Sequence, residues 1–382
     1  MNVKILNDVA VSPKLTAGER RSCASPVTCR LANGDILCVY RRGREKHSRD
    51  GILIVQRSMD GGRTWSEPIS IRDAMDQSVP ESVHAGAVCQ AQDGTTLAMF
   101  TAVEARDPEA YIFSETGRQL EQNFYIARSS DNGRTWTTSR LHVLPNTPSL
   151  RYINSCPLAL SNGDLLVPLE VTTGASRQVV MTSHYSPSKG TFEPFAPCAE
   201  DPTGELSFGD PTMTRLPDGR VLMWLWAFVN ATEVTVQAHA CVSEDEGRTW
   251  TKPWPTEICC QRSTLLSLGD RGVIVAANVR IPPEGIRLWG SRDSGKTWED
   301  PQAPVQMWDA RMHRMIGEPM AVKGVGVRDE SDGKLWASLP GFTFGAPALL
   351  LADERTILLT YYAVTDGTEE VRACRFELAS SV

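Results

Sequence analysis

The sequence predicts an all-β protein, and more narrowly a six-bladed β-propeller that spans residues 1–382 as a single domain. Three observations make this prediction. One eight-residue pattern occurs four times, a strand-turn-strand pattern occurs six times, and convincing long helical patterns are almost absent. Repeats separated by several tens of residues are typical of propellers and other repeat arrays.

The eight-residue pattern is Ser-x-Asp-x-Gly-Arg/Lys-Thr-Trp, at residues 58–65, 129–136, 243–250 and 291–298. An Asp at a turn accepts backbone N–H bonds, and a Gly two residues later supplies positive φ. The Trp is large enough to anchor a hairpin against a neighbouring sheet. We therefore interpret the octets as structural staples. The longest interval between copies contains MTSHYSPSKGTFEP, residues 181–194, a degenerate copy that lacks the Asp.

The second repeat is an apolar strand, a tight turn marked by Asn-Gly, Asp-Gly or a similar pair, and another apolar strand. It occurs at residues 25–40, 85–100, 154–170, 210–226, 263–279 and 346–362. Adding two outer strands to each hairpin gives approximate blades at residues 20–70, 84–140, 153–197, 207–254, 260–305 and 340–378.

Two segments lie outside this simple scheme. The start VKILNDVAV, or the tail VRACRFEL, completes the last blade. Residues 306–339 form an insertion, and residues 307–321 within it are the best candidate for a helix.

The composition of the chain bears on its partners, its location and its need for a metal or cofactor. The net charge of −7 argues against nucleic acid as a partner, because phosphate binding requires a basic surface. The N-terminus does not resemble a signal peptide, and no apolar run reaches the length of a spanning helix, so we expect a cytoplasmic protein without a membrane partner. The ten cysteines lack zinc-like spacing, and we expect reduced thiols, no metal and no cofactor.

The octet resembles the Asp-box of the sialidase (neuraminidase) superfamily, and the resemblance extends over the whole chain, hairpin by hairpin. It implies a propeller whose Asp-boxes lie on the face opposite the active site. Sialidases carry Arg-Ile-Pro at the first inner strand, where the Arg belongs to a three-arginine clamp on the substrate carboxylate. The matching residues here are Ala24, Ser25 and Pro26, and the expected nucleophilic Tyr is replaced by Phe342 and Phe344.

Aligning the hairpins on their turns locates the mouth of the central funnel. Ten residues before the turn residue stand His84 and Arg262 in their blades. The ends of the second strands and the segments before the inner strands add further candidates. The candidate catalytic residues are His84, Asp50, Glu104, Tyr152, Asp210 and Tyr361, and the candidate substrate-binding residues are Arg41, Arg262 and Arg280.

This composition favours a small acidic sugar or oligosaccharide as substrate, because arginines bind a carboxylate well. The first hypothesis is a sialidase-like exo-glycoside hydrolase, with Asp50 or Glu104 as acid/base and Tyr361 with Asp210 as the nucleophilic pair. The second is a uronate lyase, in which His84 removes the C5 proton and Tyr152 protonates the leaving oxygen. The third is a carbohydrate-binding propeller without catalysis. The sugar, the linkage and the oligomeric state stay open.

Overall fold

The computed structural model describes residues 1–15, 20–107, 110–112, 122–141, 149–153, 155–173, 177–321 and 341–379. These residues form six antiparallel sheets arranged as the six blades of a propeller, so the predicted fold is confirmed. The N-terminal strand β1 (Val3–Ala10) belongs to the last blade. Blade 1 comprises β2 (Ser22–Arg30), β3 (Ile36–Gly43), β4 (Ile52–Ser58) and β5 (Ile69–Arg72). Blade 2 comprises β6 (Glu81–Gln90), β7 (Thr96–Glu104), β8 (Asn123–Ser129) and β9 (Thr137–Leu141).

The remaining blades are less uniform. Blade 3 comprises β10 (Ser149–Tyr152), β11 (Leu158–Ala159), β12 (Leu165–Thr173), β13 (Arg177–Ser186), β14 (Thr191–Phe192) and β15 (Ala196–Ala199). Blade 4 comprises β16 (Leu206–Arg215), β17 (Val221–Val229), β18 (Gln237–Ser243) and β19 (Trp254–Cys259). Blade 5 comprises β20 (Ser263–Ser267), β21 (Val273–Val279), β22 (Gly285–Ser291), β23 (Val305–Asp309) and β24 (Arg314–Pro319). Blade 6 comprises β25 (Phe344–Leu351), β26 (Thr356–Thr365), β27 (Thr368–Leu378) and β1.

Both ends of the described chain complete blade 6. Strand β27 is its third strand, and β1 pairs antiparallel with β27 as its outer strand. The two alternatives that the sequence offered for this blade are therefore used together. Joining the first and last strands in one sheet closes the ring of blades through backbone hydrogen bonds, and β1 is the outer edge strand of that sheet.

The helix expected at residues 307–321 is not present, and that prediction is wrong. The segment forms the hairpin β23–β24, which adds an outer ribbon to blade 5. All five residues of β23 are buried, because this strand pairs with β22 on one side and with β24 on the other. Within the described residues there is no α-helix, only a short 3₁₀ turn at Gly269–Arg271, and no helix has the length and apolar character needed to cross a membrane.

Each octet forms the turn between the third and fourth strands of its blade and closes on itself through its Ser and Asp. In the first copy, the Ser58 hydroxyl donates to Asp60 (2.8 Å) and accepts the Gly62 N–H (2.7 Å). Asp60 also accepts the backbone N–H of Thr64 (2.9 Å) and its hydroxyl (2.6 Å). The same bonds recur around Asp131, Asp245 and Asp293. The octets are thus turn-forming staples, as the sequence predicts.

The Asp60 network makes a prediction about acid stability. Burial raises the pKa of Asp60, but hydrogen bonds from Thr64, Ser58 and the Arg63 N–H outweigh it and lower the pKa from 3.8 to about 2. A carboxylate with a depressed folded-state pKa stabilises the fold above the unfolded-state pKa and loses this contribution as the pH falls. We expect Asp60→Asn to flatten the pH dependence of the free energy of unfolding between about pH 4 and 2. Urea unfolding at pH 5, 3.5 and 2.5 measures this, and parallel curves for both proteins would contradict it.

The active face expected from the resemblance lies opposite the octets. Strands alternate in direction within a blade, so the inner strands begin where the second strands end, and the third-to-fourth turns lie at the other face. We call the face where the inner strands begin and the second strands end the mouth. Below it, the inner strands of all six blades line a central cavity of about 240 Å³, with Arg262 among its lining residues.

Candidate functional site

The inner strands are bulged where they reach the mouth. The pairing of first and second strands shifts by one residue between Ala24 and Val27 in blade 1 and between Val83 and Ala85 in blade 2. Blades 4 and 6 shift in the same region, where Asp210 and Ala346 have positive φ values of 46° and 49°. Backbone in this rare conformation is concentrated at functional sites in many proteins.

One loop of blade 1, residues 44–50, reaches over the mouth and is held from below by Arg41. The Arg41 side chain is 2% exposed and donates to the carbonyls of Val83 (3.0 Å), Glu45 (2.7 Å) and Ser48. Burial lowers the pKa of Arg41 to about 10, so it stays charged at neutral pH. Its contacts make Arg41, which the sequence suggested as a substrate ligand, a scaffold for this loop.

Asp50 has a comparable position at the end of the same loop. Its carboxylate accepts the Arg44 N–H (3.0 Å) and the Ser48 hydroxyl (2.5 Å). These bonds close residues 44–50 into a compact turn. The geometry therefore gives Asp50 a role in loop closure, where the sequence suggested an acid/base.

The tip of this loop carries Lys46, which crosses to blade 6. Its ammonium donates to the carbonyl of Phe342 (2.7 Å) and to the hydroxyl of Tyr362 (3.3 Å). It also lies 5.5 Å from the ring centroid of Phe342 and 5.1 Å from that of Tyr362. Arg280 of blade 5 stacks on the same Phe342 ring at 4.0 Å and donates to the Phe344 carbonyl (2.6 Å). Two cations thus meet one aromatic side chain at the border of blades 5, 6 and 1.

The Phe342 side chain also packs against Trp226 and Phe228 at the end of the second strand of blade 4. The rings of Trp226 and Phe228 are 4.6 Å apart between centroids and both residues are buried. An aromatic wall therefore continues from the cations of blades 5, 6 and 1 towards blade 4. Arg262 lies beside it, because the backbone N–H of Asn278, two residues before Arg280, donates to its carbonyl (3.0 Å).

On the blade 2 side, two histidines approach each other. His84 occupies the bulge of β6, is 5% exposed, and lies 3.2 Å from the Gln122 amide through Nδ1. His47, which follows Lys46, is 6.3 Å from His84 between ring centroids. Burial of the ring and then the charge of Lys46 hold the pKa of His47 well below its usual value. His47 is therefore neutral at physiological pH.

A pair of acidic residues lies between blades 3 and 4. Glu170 is 1% exposed near the end of β12, and Asp210 is 9% exposed at the bulge of β16. The backbone N–H of Asp210 donates to the Glu170 carboxylate (2.5 Å). A Cβ at the adjacent Gly209 would lie 3.5 Å from that carboxylate, an ordinary van der Waals contact, so the backbone of residues 209 and 210 packs directly on Glu170. Asp210, which the sequence suggested, thus has an acidic neighbour.

Three other sequence candidates have different surroundings. Glu104 is on the exposed rim and pairs with Arg106. Tyr361 is fully buried between blades 5 and 6, where its hydroxyl donates to Asp8 (3.0 Å) and its ring packs on Trp308 at 5.3 Å. Tyr152 ends β10, and its side chain lies outside the described part of the structure.

The mouth therefore brings together His84, Asp210, Arg262 and Arg280 with groups that the sequence candidates did not include. The added residues are Lys46, His47, Gln122, Glu170, Trp226, Phe228 and Tyr362. Among the described side chains, no group of three His, Cys, Asp or Glu is placed to bind a metal ion.

Comparison with known proteins agrees with this architecture. A family model described as a BNR repeat-like domain matches residues 87–311, more than half of the chain. The chain is thus a six-bladed propeller that belongs to the BNR repeat-like domain family. No match was found among curated proteins.

Several solved structures share the fold at low identity. A Dyadobacter fermentans protein of unknown function superposes with a TM-score of 0.72 at 19% identity, covering 99% of this chain and 100% of the other. Trypanosoma rangeli sialidase, as a covalent intermediate with 2,3-difluorosialic acid, gives 0.63 at 13% identity, covering 98% and 59%. Penicillium chrysogenum α-L-arabinanase, complexed with arabinobiose, gives 0.65 at 15% identity, covering 99% and 100%. At these identities, the likeness shows the fold alone.

Proposed function

We propose that this protein is a glycoside hydrolase that releases a terminal acidic sugar. The observation that carries the proposal is the division of the mouth into two chemically different sides. Carboxyl groups are buried between blades 3 and 4, and cations and aromatic rings lie along blades 4 to 6 and the blade 1 loop. An acidic sugar needs both, since its carboxylate binds cations and its glycosidic bond is cleaved by acid/base groups.

Glu170 and Asp210 are the acid/base candidates on the first side. Both side chains are buried near the mouth, and the Asp210 backbone N–H fixes the position of the Glu170 carboxylate. In the proposed reaction, one carboxylic acid protonates the leaving oxygen as the glycosidic C–O bond breaks. The other group, as a carboxylate, takes a proton from the water whose oxygen bonds to the anomeric carbon. The product gains one water molecule in total. Asp50 and Glu104 are less suited, since Asp50 closes a loop and Glu104 is solvent-exposed.

Solved structures with this fold support a sugar ligand. They include Trypanosoma rangeli sialidase in complex with sialic acid and Penicillium chrysogenum α-L-arabinanase complexed with arabinobiose. Both are carbohydrates, one acidic and one neutral. The cations at the mouth of this chain favour the acidic class, and the aromatic wall offers a surface for the apolar face of a sugar ring.

The test is a product assay by mass spectrometry. Purified protein is incubated with sialosides, other acidic α-glycosides and uronate-terminated oligosaccharides. Hydrolysis adds the mass of one water molecule to the two products together. If every glycoside in the panel is recovered intact at high enzyme concentration, the proposal is wrong.

A second candidate is elimination on a uronate, and the His84–His47 pair favours it. A neutral histidine can act as a base, and an adjacent arginine can stabilise the enolate-like intermediate. In this reaction the base takes the C5 proton and the C4–O bond breaks, so the products together keep the mass of the substrate and one carries a double bond. The same assay separates the two reactions by one water molecule and by ultraviolet absorbance.

Two adjacent tyrosines give a matched test of where the site lies. Tyr361→Phe removes a buried hydrogen bond to Asp8, and we expect it to lower the free energy of unfolding by about 1 kcal/mol without changing turnover. Tyr362→Phe removes a hydroxyl at the mouth beside Lys46, and we expect lower turnover with little change in stability. Urea unfolding and the product assay on both variants measure this. The reverse result would move the site from Tyr362 to Tyr361.

A further inference from the structure

Lys46 is unusual because it is a nearly buried cation at the mouth. Lys46 is 7% exposed, and hydrogen bonds to Arg41 and Asp50 hold the loop that carries it. It is therefore not a solvated lysine on a free loop. Its position is set before any ligand binds, as a recognition group requires.

The partners of the Lys46 ammonium are all uncharged. In the part of the chain that the structure describes, they are one carbonyl, one hydroxyl and two aromatic rings, and no carboxylate oxygen lies within 4.0 Å. The Glu369 carboxyl belongs to the same neighbourhood but accepts the Ser22 hydroxyl. Burial raises the pKa of the Glu369 carboxyl and the charge of Lys46 lowers it, so this carboxyl compensates Lys46 only from beyond 4.0 Å. An anionic ligand in direct contact would give the buried ammonium a closer opposite charge.

The ammonium also has donor capacity left. A lysine ammonium has three N–H groups, and the two hydrogen bonds to Phe342 and Tyr362 use two of them. Arg280 is a second cation in this wall, stacked on the same Phe342 ring at 4.0 Å. Two cations therefore contact one ring in this sector, although the whole chain carries a net charge of −7.

We propose that Lys46 binds the carboxylate of the acidic sugar directly, with Arg280 as the second cation of the same anion-binding region. This inference deepens the proposed function and rests on it for the identity of the substrate class. It assigns substrate specificity to a loop of blade 1, at a distance in sequence from the residues of blades 5 and 6 that it contacts. The sugar carboxylate then lies on the side of the mouth away from Glu170 and Asp210.

The test uses two pairs of probes that differ only in charge. N-acetylneuraminate and D-glucuronate are compared with their methyl esters by isothermal titration calorimetry and saturation-transfer NMR. The variants are Lys46→Met and Lys46→Arg, with Lys189→Met as the control, because Lys189 is an exposed lysine in a turn on the opposite face. Thermal unfolding of each variant checks that the fold is intact.

We expect Lys46→Met to weaken binding of an acid probe about ten-fold or more and to leave the ester unchanged, since a charged hydrogen bond is worth about that much. Lys46→Arg keeps most of the affinity and Lys189→Met keeps all of it. The inference is overturned if folded Lys46→Met binds the acid as the natural protein does, or if no acid probe binds the natural protein. Lys46-dependent binding without hydrolysis would leave the inference standing and overturn the hydrolase instead.

Discussion

Glu170→Gln and Asp210→Asn are expected to reduce turnover of an acidic glycoside by about 10²- to 10⁴-fold, the usual range for loss of an acid/base group. Each change keeps the shape of the side chain and removes its ability to exchange a proton. The amide oxygen that Glu170→Gln introduces can still accept the Asp210 N–H, so the fold is expected to survive. Turnover is measured with the substrate that the product assay identifies, and KM should change much less than kcat.

Glu104→Gln is the matched control for this prediction. Glu104 also ends a second strand at the mouth, but its carboxylate is exposed and paired with Arg106. We expect its turnover to stay within about two-fold of the natural protein, because exposed ion pairs contribute little. If Glu104→Gln loses activity and Glu170→Gln does not, the acid/base assignment moves to the rim, where the sequence alone had placed it.

Short local sequence patterns predict much of the fold. The octets specify their own turns because Ser, Asp and Gly in fixed positions satisfy the backbone within eight residues. Tight-turn residues between apolar runs likewise predict the hairpins. The helix prediction for residues 307–321 fails because their apolar spacing suits a helix as well as a doubly paired strand, and only the neighbouring strands decide between them.

The site was harder to predict because the bulges change the register at the mouth. The position ten residues before the turn residue of each hairpin is occupied by His84 in blade 2. In blades 1, 4 and 6 the same position holds a small residue. Ala24, Gly209 and Gly345 stand there, paired with Arg41, Trp226 and Tyr362 on the second strand. At Gly345, a Cβ would lie 2.8 Å from the Asn278 amide nitrogen, 3.1 Å from the Arg280 guanidinium and 3.2 Å from the Tyr362 ring, so this glycine leaves room for all three side chains.

The same register on the second strands points to Glu170. Glu170 stands seven residues after the turn residue Gly163, in the same register as Arg41, Trp226 and Tyr362 in their blades. Lys46 has no such signal. It lies in a polar run that resembles a solvated loop, and its contact with Phe342 joins residues almost 300 positions apart. Contacts of this kind follow from closing the propeller and not from local sequence.

The octet glycines have a second role besides their turn, and it concerns the contact between blades. A Cβ added to the glycine of each octet would come within 3 Å of a leucine side chain on the second strand of the preceding blade. The glycine and leucine pairs are Gly62 with Leu358, Gly133 with Leu37, Gly247 with Leu166, and Gly295 with Leu222. The octets therefore pack against the second strand of the preceding blade, on the face opposite the mouth.

Gly247→Ala is expected to lower the free energy of unfolding by about 2–4 kcal/mol, and Gly219→Ala by only about 1 kcal/mol. The two glycines have nearly the same φ, +86° and +89°, so the conformational cost of adding a Cβ is shared. They differ in their surroundings. A Cβ at Gly247 would lie 2.4 Å from Leu166 Cδ1, whereas nothing lies within 4 Å of one at Gly219.

Leu166 is fully buried in the core cluster between blades 3 and 4, so it cannot move aside without disturbing its neighbours. Urea unfolding gives the free energy of unfolding of each variant. Because both variants share the conformational cost of a Cβ at positive φ, the difference between them measures the contact between the blades. Equal losses would mean that the glycine is needed for its turn alone. Turnover below the unfolding temperature should be unchanged in both, because the octets lie on the face opposite the proposed site.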